Sequence, residues 1–180
     1  MLYELKNCQN GGQAEYVSTV DITKSGEEIS FFFHSETTEY YCPFDYYNGI
    51  HSFGDASEIL IGSASDRNLY YEIEMSADGL IMLAKITNHG IDADGEPIID
   101  VDFVDDCFVK GEYTRLENGF DCRLTFKLSD VLTGDGEIFF NAFRLETDGG
   151  ERWKHLFALN PTLRPRFHIT DKFLLLKDYL

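Results

Sequence analysis

Phe120-Asp121-Cys122-Arg123-Leu124-Thr125-Phe126-Lys127 alternates without a break: Phe120, Cys122, Leu124 and Phe126 fall on one side of an extended chain, and Asp121, Arg123, Thr125 and Lys127 on the other. Successive side chains of a strand point to opposite faces, so this is a strand with one face on a core and one in water. Tyr71, Ile73 and Met75 repeat the pattern against Tyr70, Glu72 and Glu74. The turn Ala77-Asp78-Gly79 follows at once and joins that run to 80–87 as a hairpin. Further strands are expected at 29–34, 58–62, 98–103, 107–113, 137–145 and 173–176. Turn residues at Lys24-Ser25-Gly26, Asn88-His89-Gly90, Asn118-Gly119 and Thr133-Gly134-Asp135-Gly136 separate them. Only 128–132 suggests a helical turn, capped by Ser129 or Asp130. Many short strands with little helix predict an all-β protein, an antiparallel two-sheet β-sandwich of jelly-roll type. No repeat, low-complexity tract or linker divides the 180 residues, which read as a single domain.

Composition agrees and narrows the partners. Phe (15), Tyr (10) and Trp (1) make up 14% of the chain, as suits pleated, half-buried surfaces. Fifteen basic against 32 acidic residues give a net charge of −17. Duplex affinity comes largely from Lys and Arg displacing counterions, so nucleic acid and anionic membrane surfaces are excluded as expected partners. No run approaches the ~20 apolar residues that cross a bilayer. Met1-Leu2-Tyr3-Glu4-Leu5-Lys6 has neither a basic nor an apolar signal region, and the four cysteines lack CxxC spacing. Reduced thiols and a cytoplasmic location are expected, or a secreted one if a signal has been removed.

Catalytic signatures are missing from the sequence: there is no GxSxG, HExxH, Walker loop or GxGxxG. The five histidines, His34, His51, His89, His155 and His168, show no ligand spacing, and no cofactor is expected. Asp92, Asp94, Glu96, Asp100, Asp102, Asp105 and Asp106 form either a solvated acidic loop or a source of oxygen ligands for Ca²⁺, without EF-hand spacing.

The C-terminal third carries more. Phe139-Phe140-Asn141-Ala142-Phe143-Arg144-Leu145 leads through a Gly-rich loop to Trp153, then to Leu159-Asn160-Pro161-Thr162 and Phe167-His168-Ile169-Thr170-Asp171-Lys172-Phe173. Upstream stand Asp55-Ala56-Ser57-Glu58-Ile59 and Tyr70-Tyr71-Glu72-Ile73-Glu74-Met75. In this order the segments resemble the family 9 carbohydrate-binding modules: an N-x-x-R strand, a variable loop, a W-x-P segment and an F-H-x-P-E-x-F-G finish, preceded by D-x-V-E and Y-Y-x-F-E strands. Leu159 replaces the tryptophan usual before the Asn-Pro pair, and Thr170 and Leu174 stand where proline and glycine are usual.

The resemblance implies a β-sandwich that binds a mono- or oligosaccharide without catalysis. A sugar site wants an aromatic platform for apolar C–H faces and a few fixed polar groups. Trp153, Tyr46, Tyr47 and Phe53 are the candidate rings; Glu58, Asn141 and Arg144 are the candidate polar groups. Trp153 stands either at a binding surface or in a core. Asn141 and Arg144, three apart on a strand, point to opposite faces unless a bulge intervenes, so one of them is structural. Glu58 either accepts sugar hydroxyls or pairs with Arg144. The alternatives are a glycoside hydrolase using some pair of the many carboxylates, and a sandwich that has lost its sugar site. The oligomeric state is not legible.

Overall fold

A computed structural model describes the chain from Met1 to Leu180 except Thr38, Ser52, Phe53, Ala64 and residues 148–152, and without the side chains of His51 and Trp153. Its strands are β1 (Leu2–Glu4), β2 (Lys6–Asn7), β3 (Ser18–Ser25), β4 (Glu28–Glu36), β5 (Ala56–Ser63), β6 (Leu69–Ser76) and β7 (Ile81–Ile91). They continue as β8 (Pro97–Phe103), β9 (Lys110–Leu116), β10 (Gly119–Lys127), β11 (Ile138–Thr147), β12 (Trp153–Ala158) and β13 (Leu174–Leu175). Among the described residues there is no α-helix, only short 3₁₀ turns, and no helix long and apolar enough to cross a membrane. Two antiparallel sheets pack as a sandwich. One runs β1-β3-β4-β10-β9, the other β2-β12-β11-β5-β6-β7-β8, with β13 also on β11.

The strand that decided the fold lies inside the smaller sheet. Phe120, Cys122, Leu124 and Phe126 are buried between the sheets beside Phe31, Phe33, Val20 and Ile22. Each such side chain contributes about 1.5–3 kcal/mol by leaving water. The opposite face of β10 is tied across to β4: Asp121 to His34 at 2.7 Å, Thr125 to Ser30 at 2.8 Å, and Arg123 over the Phe32 ring. These cross-strand pairs fix the register.

The larger sheet departs from the sequence reading. Ile59, Ile61, Ile73, Met75, Leu83, Phe140 and Ala142 face the intersheet core as their alternation predicts. The other face is also buried, because residues 159–173 and the turn at Ile50 cover it. Phe143 meets Phe167, and Phe139 and Tyr70 meet Phe173, so Tyr70, Glu72 and Glu74 are interior instead of solvated.

Smaller corrections follow from hydrogen bonding. The helical turn spans Leu128–Val131 and starts at Lys127 without a side-chain cap, so neither Ser129 nor Asp130 caps it. The strand expected at 107–113 begins three residues later, and that at 173–176 shrinks to Leu174–Leu175 between 3₁₀ turns. Strand β3, unrecognised in the sequence, pairs along its whole length with β4.

Candidate functional site

One end of the sandwich gathers the turn after β6, the β9–β10 turn, the start of β5, the end of β11 and the long 37–55 connection. Backbone bonds tie them together: Ala77 N–H donates to the Asp55 carbonyl at 3.0 Å, and Thr37 N–H to that of Asn118 at 3.1 Å. Thr147 N–H donates to Asp55 Oδ1 at 2.6 Å. Between the start of the 37–55 connection and the β9–β10 turn opens a cleft of about 390 Å³ lined by Thr37, Glu39, Tyr40, Arg115, Leu116, Glu117 and Gly119. Gly119 is required there, with φ +146° and a notional Cβ only 2.0 Å from the Ser35 carbonyl oxygen.

The cleft floor is an ordered column. The Arg115 guanidinium lies 4.7 Å from the Tyr40 ring centroid, Tyr40 meets Phe120 edge-on at 6.2 Å, and the Arg144 guanidinium lies 4.9 Å from the Phe120 ring. Arg115 and the edge contact with Phe120 orient Tyr40, and Arg144 supports Phe120 in turn. Arg144 (1% exposed) is partnered by Asp55 (0%), with Nη2 to Oδ2 at 3.5 Å. Burial raises the Asp55 carboxyl more than Arg144 and the Thr147 N–H lower it. Thr37 Oγ1 reaches both the Glu39 carbonyl at 2.6 Å and Glu146 Oε1 at 3.0 Å, which fastens the cleft rim to β11.

The structure disperses the candidates read from the sequence. Arg144 stands behind the cleft in the intersheet core. Asn141 faces the other way: its Oδ1 accepts from Asn160 N–H at 3.0 Å and its Nδ2 donates to the Asn160 carbonyl at 2.9 Å. It ties the C-terminal segment to the sheet. Glu58 shares that outer face, so it does not pair with Arg144, whose partner is Asp55. Tyr46 is exposed, while Tyr47 donates from its hydroxyl to the Val104 carbonyl at 2.8 Å on the flank beside β7. Phe53 and the Trp153 side chain lie outside the described residues. The Trp153 backbone pairs with Thr147, next to Glu146 at the cleft end. Arg115, Glu39, Glu117 and Thr37 were missed; the Asn118-Gly119 turn signal was the clue that places Arg115 and Glu117 at a loop end.

On the outer face Glu58 lies opposite Glu74 across β5 and β6, with Glu72 two residues along. The acidic 92–106 stretch gathers no comparable group; among the described residues, Glu58, Glu72 and Glu74 alone bring three ligand atoms within 4.8 Å of one another. Burial and the neighbouring carboxylates push Glu58 well up; burial does the same to Glu72, and lifts Glu74 to about 7. Beside them Asn88 Nδ2 donates to Tyr70 Oη at 3.2 Å and Tyr70 contacts His168 Nδ1 at 2.9 Å. Burial drops His168 to about 3.

Comparisons with known proteins place the fold. No family model and no curated protein matches the chain. Solved structures do. A Bacteroides uniformis protein ascribed to carbohydrate binding superposes with a TM-score of 0.72 at 13% identity, covering 96% of this chain and 84% of that one. A family 9 carbohydrate-binding module from Caldicellulosiruptor kristjanssonii in complex with cellotriose gives 0.56 at 11% identity, over 89% and 72% of the two chains. Its complex with glucose gives 0.53 at 12%, over 88% and 74%. The resemblance read from the sequence therefore holds in the fold, an all-β sandwich similar to the family 9 modules.

Proposed function

We propose that the protein binds a mono- or oligosaccharide, without catalysis, in the cleft at the loop end. The observation that carries this reading is the floor of that cleft: the Tyr40 ring held between Arg115 and Phe120, with Thr37, Glu39 and Glu117 at its rim. Arg115, the exposed member of that column, would meet the sugar, its guanidinium and the rim carboxylates replacing water on the hydroxyls, while the ring beneath holds the guanidinium in place. The sandwich shared with the family 9 modules solved with glucose and cellotriose supports the class of ligand. The four free cysteines support a reducing, cytoplasmic setting.

The test is calorimetric titration with glucose and cello-oligosaccharides, extended by a glycan array, alongside the emission of the single tryptophan. Tyr40→Ala removes the ring under Arg115 and is expected to weaken binding by about 1–3 kcal/mol, roughly five- to 150-fold in Kd. Arg115→Ala, at the exposed end of the column, weakens it in the same direction. A silent array favours a sandwich without a sugar site. Release of reducing sugar by the purified protein favours the hydrolase.

A further inference from the structure

We propose that Glu58, Glu72 and Glu74 form a buried calcium site on the outer face of the larger sheet, separate from the loop-end cleft. The strands build it directly. Glu58 and Glu74 are register partners on adjacent strands, and Glu72 projects from the same face of β6 two residues away. One oxygen from each lies within 4.8 Å of the other two. Three points so spaced share a centre no more than ~2.8 Å from each, close to the 2.3–2.6 Å at which oxygens bind Ca²⁺.

A second observation points to a ligand. Glu58 is 0% exposed, and neither of its carboxylate oxygens has a hydrogen-bond partner among the described residues. A buried carboxyl without hydrogen bonds either stays protonated or is answered by a charge, and a cation bound between the three acids would hold Glu58 ionised. The ion pairs among the described residues give no Lys or Arg to any of the three acids. Cys8 and Tyr70 also face them and carry no positive charge, and the Nδ1 of the neighbouring His168 is taken up by Tyr70 Oη at 2.9 Å.

The neighbouring network selects the ion. Asn88 donates to Tyr70 Oη, which lies 2.9 Å from His168 Nδ1, and a phenol that donates there fixes the imidazole tautomer. The imidazole proton then sits on Nε2, 3.6 Å from Glu72 Oε1. An imidazole nitrogen that bears its proton is not a ligand, so the donor set is carboxylate oxygen alone. Carboxylate oxygens from three acids suit a hard ion, Ca²⁺, over Zn²⁺, which favours nitrogen and sulfur. His168 acts as a positioning residue that orients Glu72.

The test uses the whole chain stripped with a chelator and titrated with CaCl₂ by calorimetry and thermal unfolding. One ion per chain is expected, with a Kd between ~10⁻⁶ and ~10⁻³ M. At about a hundred times Kd the melting temperature rises by about 5–10 °C. Glu58→Gln and Glu74→Gln keep the shape of the site, fold without added calcium and lose at least about tenfold in affinity together with the thermal shift. Asp94→Asn, in the exposed acidic hairpin, leaves both intact. The proposal is overturned if the wild-type chain shows no binding at several millimolar Ca²⁺. It is equally overturned if both Gln variants bind as the wild type does, or if Asp94→Asn abolishes binding.

Discussion

Asp55→Asn isolates the charge that holds the loop end together. Asp55 and Arg144 are 0% and 1% exposed and 3.5 Å apart. Arg144 Nη1 and Nη2 make no hydrogen bonds among the described residues, so this ion pair is the main answer to a buried cation, aided by the Phe120 ring. Asparagine retains an oxygen for the 2.6 Å bond from Thr147 N–H, removes the negative charge and turns an amide NH₂ toward Arg144 in place of Oδ2. Breaking one partner of a buried pair costs about 3–5 kcal/mol, because the remaining charge is left without compensation. For a chain of this length that is roughly 6–20 °C in melting temperature. Urea unfolding should show the midpoint falling with an unchanged slope. The double variant Asp55→Asn/Arg144→Met should return most of the loss, since burial already raises the Asp55 carboxyl despite Arg144 and the intact pair is close to break-even. A loss below about 1 kcal/mol in the single variant, or strict additivity in the double, would refute the reasoning.

Two further outcomes follow from the interior. Burial pushes the Cys122 and Cys42 thiols up to about 12 and raises Cys8, whereas Cys107 is exposed, so a thiol reagent at pH 8 should label Cys107 rapidly and the other three slowly. A thiol pKa raised by folding favours the protonated native form, so the Cys122 contribution is complete below pH 9 and declines between 9 and 12, on the order of 4 kcal/mol in total. Alkaline unfolding should begin in that window and be delayed by Cys122→Ala. Gly119→Ala places a Cβ against the Ser35 carbonyl at a φ that L residues rarely adopt, and should cost several kcal/mol by urea titration while deforming the cleft.

The fold was legible where period-2 alternation coincided with one buried face. Phe120–Lys127 is such a case, and the pairing of Phe33 and Phe31 with Cys122 and Leu124 bears it out. The Ala77-Asp78-Gly79 hairpin was legible for a different reason: Gly79 takes φ +92°, which the turn demands. Strand β3, Ser18-Thr19-Val20-Asp21-Ile22-Thr23-Lys24-Ser25, alternates as cleanly, but its interior positions are small or β-branched and no ring marks them. Its burial follows from lying next to β4, a long-range fact that no window contains.

The site was less legible because alternation tells which residues share a face and never what covers that face. Tyr70, Glu72 and Glu74 read as the wet side of a half-buried strand, since two carboxylates in three alternate positions normally mean solvent. The cover is an irregular segment, 159–173, fastened to the sheet by side chains: Asn141 pairs twice with the Asn160 backbone and Asn88 donates to the His168 carbonyl, while Asn160 donates to the Lys172 carbonyl within the segment. Asn141 therefore works from the face opposite Arg144, as strand geometry requires, and it is the structural member of the pair. The larger sheet thus has two buried faces of opposite character. One is an apolar intersheet layer, in which the Asp55–Arg144 pair lies behind Tyr40. The other holds three carboxylates without a cationic side chain. The buried Arg144 demands a compensating charge, and so do the three acids whenever they are ionised. Asp55 supplies it on the first face, and on the second the proposed calcium ion would supply it.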